Sequence, residues 1–593
     1  MWPFEDSVPE ITAQDAVKRQ DYDYIIVGGG TAGCCLASRL SEDPSVTVLI
    51  IELGNVADSW ASKVPVISAN PHRSGSQAAR WKALPLSNVD SRVLDVVRGE
   101  ALGGSSRVNA MVYTRGAPGD YNRWKEMGHP SWGYDQLEPY FVKSEKTLSQ
   151  PPSSFRGGQG PWENRTFKDL PYRILHHVAS ATSSLGIPGV ADINSPHAPA
   201  VGYATLDVAT DRKMYRASTY RAFLPPSLTQ ERKSRLFICT NSQATLIRFS
   251  SSTSGRPKAE GVHFQDVKSD SDATQSYFVK ARKEIVLCCG AVGSPHLLQL
   301  SGVGPKAHLI SKGIKVVRDM PGVGTNLQDH VGLPVMYEIP LNDSLHVLER
   351  STWVALTELL KYVVTGRGIF SLPFMQTSLF VPSQLLDENS CVVHTDKTKL
   401  DSSLPANTPD IEIMPIAFRC SDDDVVTKEG IFSFLTAHIR PKSFGSVRLA
   451  SAYPLDRPAV DLGFLSNPED YLVLRKCVRL ALRLAEQVRS QGYPLKDLQV
   501  PETENDADID RFIRKNLRTS YHYSSTCRMG AEHEVDRPGV VDDELRVHGI
   551  DALRVCDASV FPEIIAAHTM APTVVVAEKC ADMMKAAAVG KKI

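Results

Sequence analysis

The chain has almost no excess of charge of either sign. Its 66 basic and 67 acidic residues leave a formal net charge of −1 over 593 residues. No basic block or Arg-rich arm stands out, so charge points neither to nucleic acid nor to steering onto an anionic surface. Long apolar runs are missing too. The most apolar late stretch, Val560 to Val576, is interrupted by Glu563, His568 and two prolines, which makes it a poor membrane span. The first twenty residues carry acids and prolines where a secretory signal needs a basic start and an apolar core. A cytoplasmic location with no membrane partner is therefore expected. Eleven cysteines occur without the spacing of a zinc site or a disulfide framework. Cys34–Cys35 and Cys288–Cys289 read as small core residues, and no metal site is expected.

What the chain does have is glycine at four stations. YDYIIV (22–27) is a short apolar strand that runs into GGGTAG. This places Gly28, Gly30 and Gly33 at G-x-G-x-x-G spacing around Thr31 and Ala32. A helix pattern, CCLASRLSEDP, and a second strand, VTVLIIE, follow and end at Glu52, nineteen residues after Gly33. Strand, glycine turn, helix, strand and acid in that order are the context of a dinucleotide site. The first glycine allows the tight turn, the second a close approach to pyrophosphate, and the third close helix–strand packing. The helix N-terminus then faces the phosphates. Glu52 is placed to accept from a ribose hydroxyl, which disfavours NADP but does not separate NAD from FAD.

The second station is VVRGEALGGSSRVNAMVYTRG (96–116), where Gly103, Gly104, Ser105 and Ser106 make a donor-rich loop ahead of an alternating segment. Asn109 lies among apolar residues there and needs a partner if buried. The third station follows a β-meander expected from SRLFICT, TLIRFS and KAEGVHF between residues 234 and 264. A further strand, KEIVLCCGA, then enters the helical SPHLLQLSG. The fourth, residues 540–584, holds the strand LRVCD ending at Asp557 and a helical run after Pro572. A helix (472–488) and mixed loops fill the long stretches between stations, which read as one substrate-side domain made of two insertions.

Sixteen histidines are present, and any one of them is more often structural than catalytic. His522 in SYHYSSTCRMG and His568 in the fourth station are the pair best suited to accept a hydroxyl proton and hold the same oxygen. No third ligand has metal-site spacing beside either, and no G-x-S-x-G elbow supports hydrolase chemistry.

The segments RGEALGGSSRVNAMVYTRG (98–116), GAVGSPHLLQLSGVGP (290–305) and VVDDELRVHGIDALRVCDASVFP resemble the glucose–methanol–choline (GMC) oxidoreductases, in particular the fungal aryl-alcohol oxidase-like branch. The resemblance runs from Tyr22 to about Met584. It implies an α/β fold in which a Rossmann-like FAD-binding domain is assembled from discontinuous segments. An α+β substrate-binding domain with a large antiparallel sheet completes it. The implied FAD segments are 20–134, 236–330 and 535–593, and the implied substrate segments are 135–235 and 331–534. Flavin contacts fall on the Gly28–Gly33 loop, Glu52, Gly104, Ser105, Asn109, Ala110, Met111, Val112, Asp557 and Ala558. The active-site base falls on His522 and the second active-site position on His568.

Three local choices stand out. Tyr523 and Ser525 replace the family's usual proline and glycine after the base. Val108 occupies the position at which some relatives bind flavin covalently through histidine, so non-covalent FAD is expected. Ala110 leaves room where an aromatic residue can stand in the aryl-alcohol branch. The resemblance implies oxidation of a CH–OH group, in a primary alcohol of a small, partly apolar molecule. The electron acceptor is molecular oxygen or a quinone-like compound. A hydroxynitrile lyase using the same pocket and an inactive FAD-binding protein are the alternatives.

Overall fold

Tyr22 to Val27 are all buried, as a largely apolar strand must be when both of its faces are covered, and the one acid in that run, Asp23, is paired with Arg282. The computed structural model describes residues 8–19, 21–56, 58–251, 255–268, 275–393, 397–421 and 427–590. In it this run is β1 (Asp21–Val27), followed by α1 (Thr31–Leu40) and β2 (Val48–Ile51). The chain departs, contributes β3 (Gly202–Thr205), and returns with β4 (Leu236–Cys239), β5 (Ser242–Ser251), β6 (Pro257–Asp266), β7 (Ser276–Leu287) and α2 (Gly290–Leu300). A second departure gives β8 (Val331–Ile339), α3 (Thr352–Thr365), β9 (Thr377–Val381), β10 (Ile411–Ile416), β11 (Gly430–His438) and α4 (Glu469–Ser490). The last return supplies β12 (Leu553–Val555) and α5 (Met570–Ala588).

Two sheets organise these elements. The first has seven strands in the order β4-β2-β1-β7-β6-β5, with β12 beside β7. β4, β2, β1, β7 and β12 run parallel, whereas β5, β6 and the outer part of β7 form an antiparallel meander. Val27 pairs with both Ile51 and Leu287. The parallel strands therefore end together, and Gly28, Glu52, Cys288 and Cys556 all leave from one edge. That carboxyl edge is where open α/β sheets bind ligands.

The second sheet has eight strands, with β8, β11, β10, β9 and β3 at its centre. Those neighbours pair antiparallel. Because β3 comes from the first departure and the others from the second, two chain segments build one sheet. α4 covers it through Leu474, Cys477, Val478, Ala481, Leu484 and Val488, which are buried at intervals of three and four.

One sequence expectation is corrected. SRLFICT does not open the meander; as β4 it pairs parallel with β2 at the edge of the first sheet. The turn at Thr240–Asn241, with Asn241 at φ 51°, reverses the chain only afterwards. Strand propensity cannot distinguish these pairings, because direction is set by what precedes the strand. The strand expected at 283–291 likewise begins earlier, at Ser276, and stops at Leu287. The helix expected at 472–488 lies within α4, and Pro572 occupies the first turn of α5, where its missing N–H costs nothing. The eleven cysteines are all free thiols.

Candidate active site

A cavity of about 960 Å³ runs from the carboxyl edge of the first sheet to the face of the second. Its size lies at the upper end of small-molecule sites. Gly28, Gly30, Thr31, Ala32, Glu52, Gly104, Ser105, Asn109, Ala110, Val112, Asp557, Ala558, His522 and His568 all line it. Gly33 and Met111 do not. A Cβ on Gly33 would lie 2.0 Å from the Gly28 carbonyl oxygen, so this glycine serves the packing of α1 against β1. Met111, expected at the cofactor, is 1 % exposed in the core. Met111 is left-handed there, at φ 64°, and its side chain enters the core while Ala110 and Val112 on either side line the cavity.

The glycine stations meet across the cavity. A Cβ on Gly104, at φ 51°, would stand 2.7 Å from Gly30 Cα, so the two loops touch backbone to backbone. Glu52 accepts from the N–H of Gly29 (2.7 Å) and of Gly54 (2.8 Å). Burial pushes its carboxyl upward against those donors. Asp557 accepts from Gly290 N–H (2.9 Å), Ser294 Oγ (2.6 Å) and Ser559 N–H (2.8 Å). It thereby ties the end of β12 to the start of α2. Asn109 has the partners its burial requires. Its Nδ2 donates to Met570 Sδ (3.0 Å), while its Oδ1 and O accept from Arg216 at 2.8 and 2.6 Å.

Arg216 is fully buried and has no carboxylate partner among the described residues. Its remaining donors go to Ser68 Oγ and Ser106 O. Burial, reinforced by Arg107, pushes it down to about 9. Arg98 lines the same cavity with its Nε buried and without a partner among the described residues.

These features suit FAD. The paired glycine loops offer backbone N–H groups and a helix N-terminus to a pyrophosphate. Glu52 keeps lone pairs for a ribose, Arg98 has an unspent donor, and Val108, Ala110 and Val112 form an apolar floor for a flat ring.

At the other end three imidazoles converge. The rings of His330 and His522 are 4.9 Å apart, and those of His522 and His568 are also 4.9 Å apart, both pairs edge to face. His330 Nε2 lies 3.0 Å from the Ile565 carbonyl oxygen, and its Nδ1 lies 2.9 Å from His522 Nδ1. His568 Nε2 is 3.1 Å from Glu412 Oε1, which also accepts from Ser378 Oγ (2.7 Å). Burial, then the neighbouring His568, holds His330 down at about 3. Burial, then His330 and His568, holds His522 well below the ordinary histidine value.

Sheet pairing brings these distant residues together. Val331 pairs with Thr519, which sets Asp329 and His330 against the loop that carries His522. The His522 N–H donates to Asp329 Oδ1 (2.7 Å), and Thr519 Oγ1 donates to the same carboxyl group. Burial raises that carboxyl to about 7. Ser525, where the family places glycine, is left-handed at φ 69° and still donates its N–H to the Ala558 carbonyl (3.1 Å). Tyr523 is buried with its hydroxyl 3.4 Å from Val97 N and from Thr519 Oγ1. The loop thus keeps a glycine-like path without glycine.

Sequence reasoning missed His330, Glu412, Asp329, Arg98 and Arg216. Glu412 did leave a signal, being the one charged residue of the otherwise apolar IEIMPI strand. Arg216 left none.

Comparison with known proteins agrees with this geometry. Residues 22–332 and 441–577 match the two parts of the GMC oxidoreductase family. An oxygen-dependent choline dehydrogenase of Chromohalobacter salexigens is 31 % identical over 573 residues, covering 95 % of each chain. That of Burkholderia vietnamiensis is 32 % identical over 570 residues, covering 95 % of this chain and 94 % of its own. Among solved structures, formate oxidase aligns with a TM-score of 0.84 at 25 % identity, covering 96 % of this chain and 99 % of its own. Pyridoxine 4-oxidase from Mesorbium loti aligns with a TM-score of 0.80 at 26 % identity, covering 95 % and 99 %. A fungal aryl-alcohol oxidase, at 24 % identity, covering 95 % and 99 %, and a TM-score of 0.77, shares the fold. The narrower expectation of an aryl-alcohol oxidase-like branch is therefore not supported, because bacterial choline dehydrogenases match above 30 % identity. The chain belongs to the GMC oxidoreductase family and is an FAD-dependent oxidoreductase with a discontinuous FAD-binding domain and a substrate-binding domain.

Proposed function

We propose that this protein oxidises a primary alcohol of a small, partly apolar molecule and passes the electrons to molecular oxygen, giving hydrogen peroxide. The observation that carries the reading is the hydrogen-bonded series Ile565–His330–His522 beside His568–Glu412 in one cavity. FAD, when bound, supplies the hydride acceptor. We assign Gly30, Thr31, Ala32, Gly104 and Ser105 to its pyrophosphate side and Glu52 to its ribose. Val108 has no nucleophile, so FAD is held non-covalently.

The proton chemistry belongs to the chain. His330 is neutral, and the Ile565 carbonyl requires a donor, so its proton sits on Nε2. Its Nδ1 then accepts, which places the His522 proton on Nδ1 and leaves His522 Nε2 with a free lone pair. That nitrogen takes the substrate hydroxyl proton. His568 donates from Nε2 to Glu412, which orients its ring toward the same substrate oxygen. Phe374, Met414, Ile416, Phe418 and Leu435 line the cavity around this site and suit a substrate with an apolar part. Relatives described as oxygen-dependent choline dehydrogenases support an alcohol donor and oxygen as acceptor. The free thiols support a reducing, cytoplasmic setting. We place the domain borders near residues 134, 235, 330 and 534.

The test is anaerobic mixing of the FAD-loaded protein with a panel of primary alcohols, followed by admission of oxygen or a quinone. Bleaching of the flavin absorbance, reversed by oxygen with stoichiometric peroxide, is expected. Recovery with quinone alone would replace oxidase by dehydrogenase, and no bleaching with any alcohol would overturn the reading.

A further inference from the structure

Arg216 is 1 % exposed, and its side chain meets only neutral acceptors among the described residues. These are Ser68 Oγ at 2.9 Å, Ser106 O at 3.0 Å, Asn109 Oδ1 at 2.8 Å and Asn109 O at 2.6 Å. The one charged group acting on it is another cation, Arg107. Asp58, the acid of that neighbourhood, is shared among Lys63 at 3.1 Å, Arg221 at 3.2 Å and Arg107 at 3.8 Å. A buried cation without a counter-charge is costly. Arg216 therefore calls for an anion that the described residues do not supply.

Its contacts locate that anion. Ser106 and Asn109 both line the cavity that suits FAD. Asn109 stands between Val108 and Ala110, in the floor for the flat ring, whereas the pyrophosphate side falls to Gly30, Thr31, Gly104 and Ser105. The Asn109 carbonyl faces Arg216, whose Nη2 donates to it. A trans peptide sets its N–H opposite its C=O, so the Ala110 N–H points away from Arg216. That N–H donates to no described residue, and Ala110 lines the cavity. The guanidinium thus stands behind a peptide that it polarises toward the ring.

A hydride carries two electrons and one proton, so its arrival leaves the neutral flavin ring with one negative charge. In the proposed reaction the hydroxyl proton goes to His522. We propose that Arg216 is the counter-charge of reduced FAD, stabilising the anionic ring over the neutral one and raising the reduction potential of the bound cofactor. An interaction that strengthens as charge develops also favours the transfer itself. The proposal rests on FAD as the cofactor and not on the alcohol that reduces it.

The test is the redox equilibrium of the FAD-loaded protein with a reference dye, without alcohol, in the wild type, Arg216→Met and Arg216→Lys. At a fixed ratio of reduced to oxidised dye, the ratio of reduced to oxidised FAD should fall about tenfold or more in Arg216→Met. Arg216→Lys should match the wild type near pH 6 and drop toward Arg216→Met by about pH 10, because burial moves a lysine's titration down into that window. Each ratio is read against the wild type at the same pH. An unchanged ratio in Arg216→Met overturns the proposal; if that variant also sheds FAD faster, the charge belongs to the pyrophosphate instead. Where Arg216→Met retains no FAD, Arg216→Lys decides alone. Its fall with pH supports the proposal, and a ratio parallel to the wild type at every pH overturns it. Because the dye supplies the electrons, the result holds whether or not any alcohol bleaches the flavin, and the functional reading stands or falls separately.

Discussion

His330 and His522 face each other through their Nδ1 atoms at 2.9 Å, and the second nitrogen of His330 is committed to the Ile565 carbonyl at 3.0 Å. Two imidazoles can share such a contact only if one donates and the other accepts. The carbonyl decides which, because it can only accept. His330 therefore acts as a positioning residue that selects the tautomer of its neighbour.

Replacing His522 by Ala is expected to slow alcohol-driven bleaching of the flavin by about 10²- to 10⁴-fold, with FAD still bound. Stopped-flow absorbance of the flavin reads the rate, and the flavin absorbance of the oxidised protein reads the bound cofactor. A variant that bleaches at the wild-type rate removes His522 from the role of base.

The pH profile follows from the depressed histidines. His522 lies well below the ordinary value of 6.5, so its basic form persists as pH falls. The bleaching rate should be level from pH 8 to below about 6.5. In His330→Asn the tautomer lock is lost, so the rate should fall with FAD content retained. Stability has the same sign: the folded His330, at about 3, excludes a proton that the unfolded chain binds below 6.5. Its contribution is complete above 6.5 and is lost as pH falls toward 3. A thermal midpoint measured across this window should fall less steeply for His330→Asn.

Glu412→Gln tests the second histidine. The amide keeps the shape but loses the carboxylate that accepts from His568 Nε2 and orients its ring. A loss in kcat of about ten- to a hundredfold is expected, with KM changed less, read in steady-state peroxide formation. A change confined to KM would make Glu412 a binding residue only.

Arg216→Met removes four donors from Ser68, Ser106 and Asn109 and should destabilise by about 3 kcal/mol. FAD should also be lost more readily, because Asn109 lines its cavity. Arg216→Lys should restore part of both, since it keeps the charge but not the fork. Denaturant unfolding and FAD release on dilution are the measurements.

Ser525→Gly should leave bleaching intact and stabilise by up to about 1 kcal/mol, since φ 69° costs an L-residue about that much. A lower thermal midpoint would show that the Ser525 Oγ contact with Gln328 Oε1, 3.3 Å, outweighs the strain.

Much of the first sheet was legible because β1 and β2 are short, largely apolar and joined through a glycine turn and one helix, so one stretch of about thirty residues specifies its own neighbours. The edge position of β4 was not legible, because parallel and antiparallel partners ask for the same residue types. His522 and His568 could be singled out by the company of the glycine stations. His330 could not, since 192 residues separate it from His522 and only the Val331–Thr519 pairing makes them neighbours.

The sequence by itself determined the dinucleotide turn, the order of the four stations and the family, because these rest on local spacing. It also showed that Tyr523 and Ser525 are unusual. Only the tertiary structure decided that Ser525 accepts a left-handed backbone, that Met111 faces the core and that Arg216 stands behind Asn109. It alone placed a neutral His330 where it gives His522 its lone pair. Those are relations between groups distant in the chain, fixed by sheet register and burial, and no local pattern encodes them.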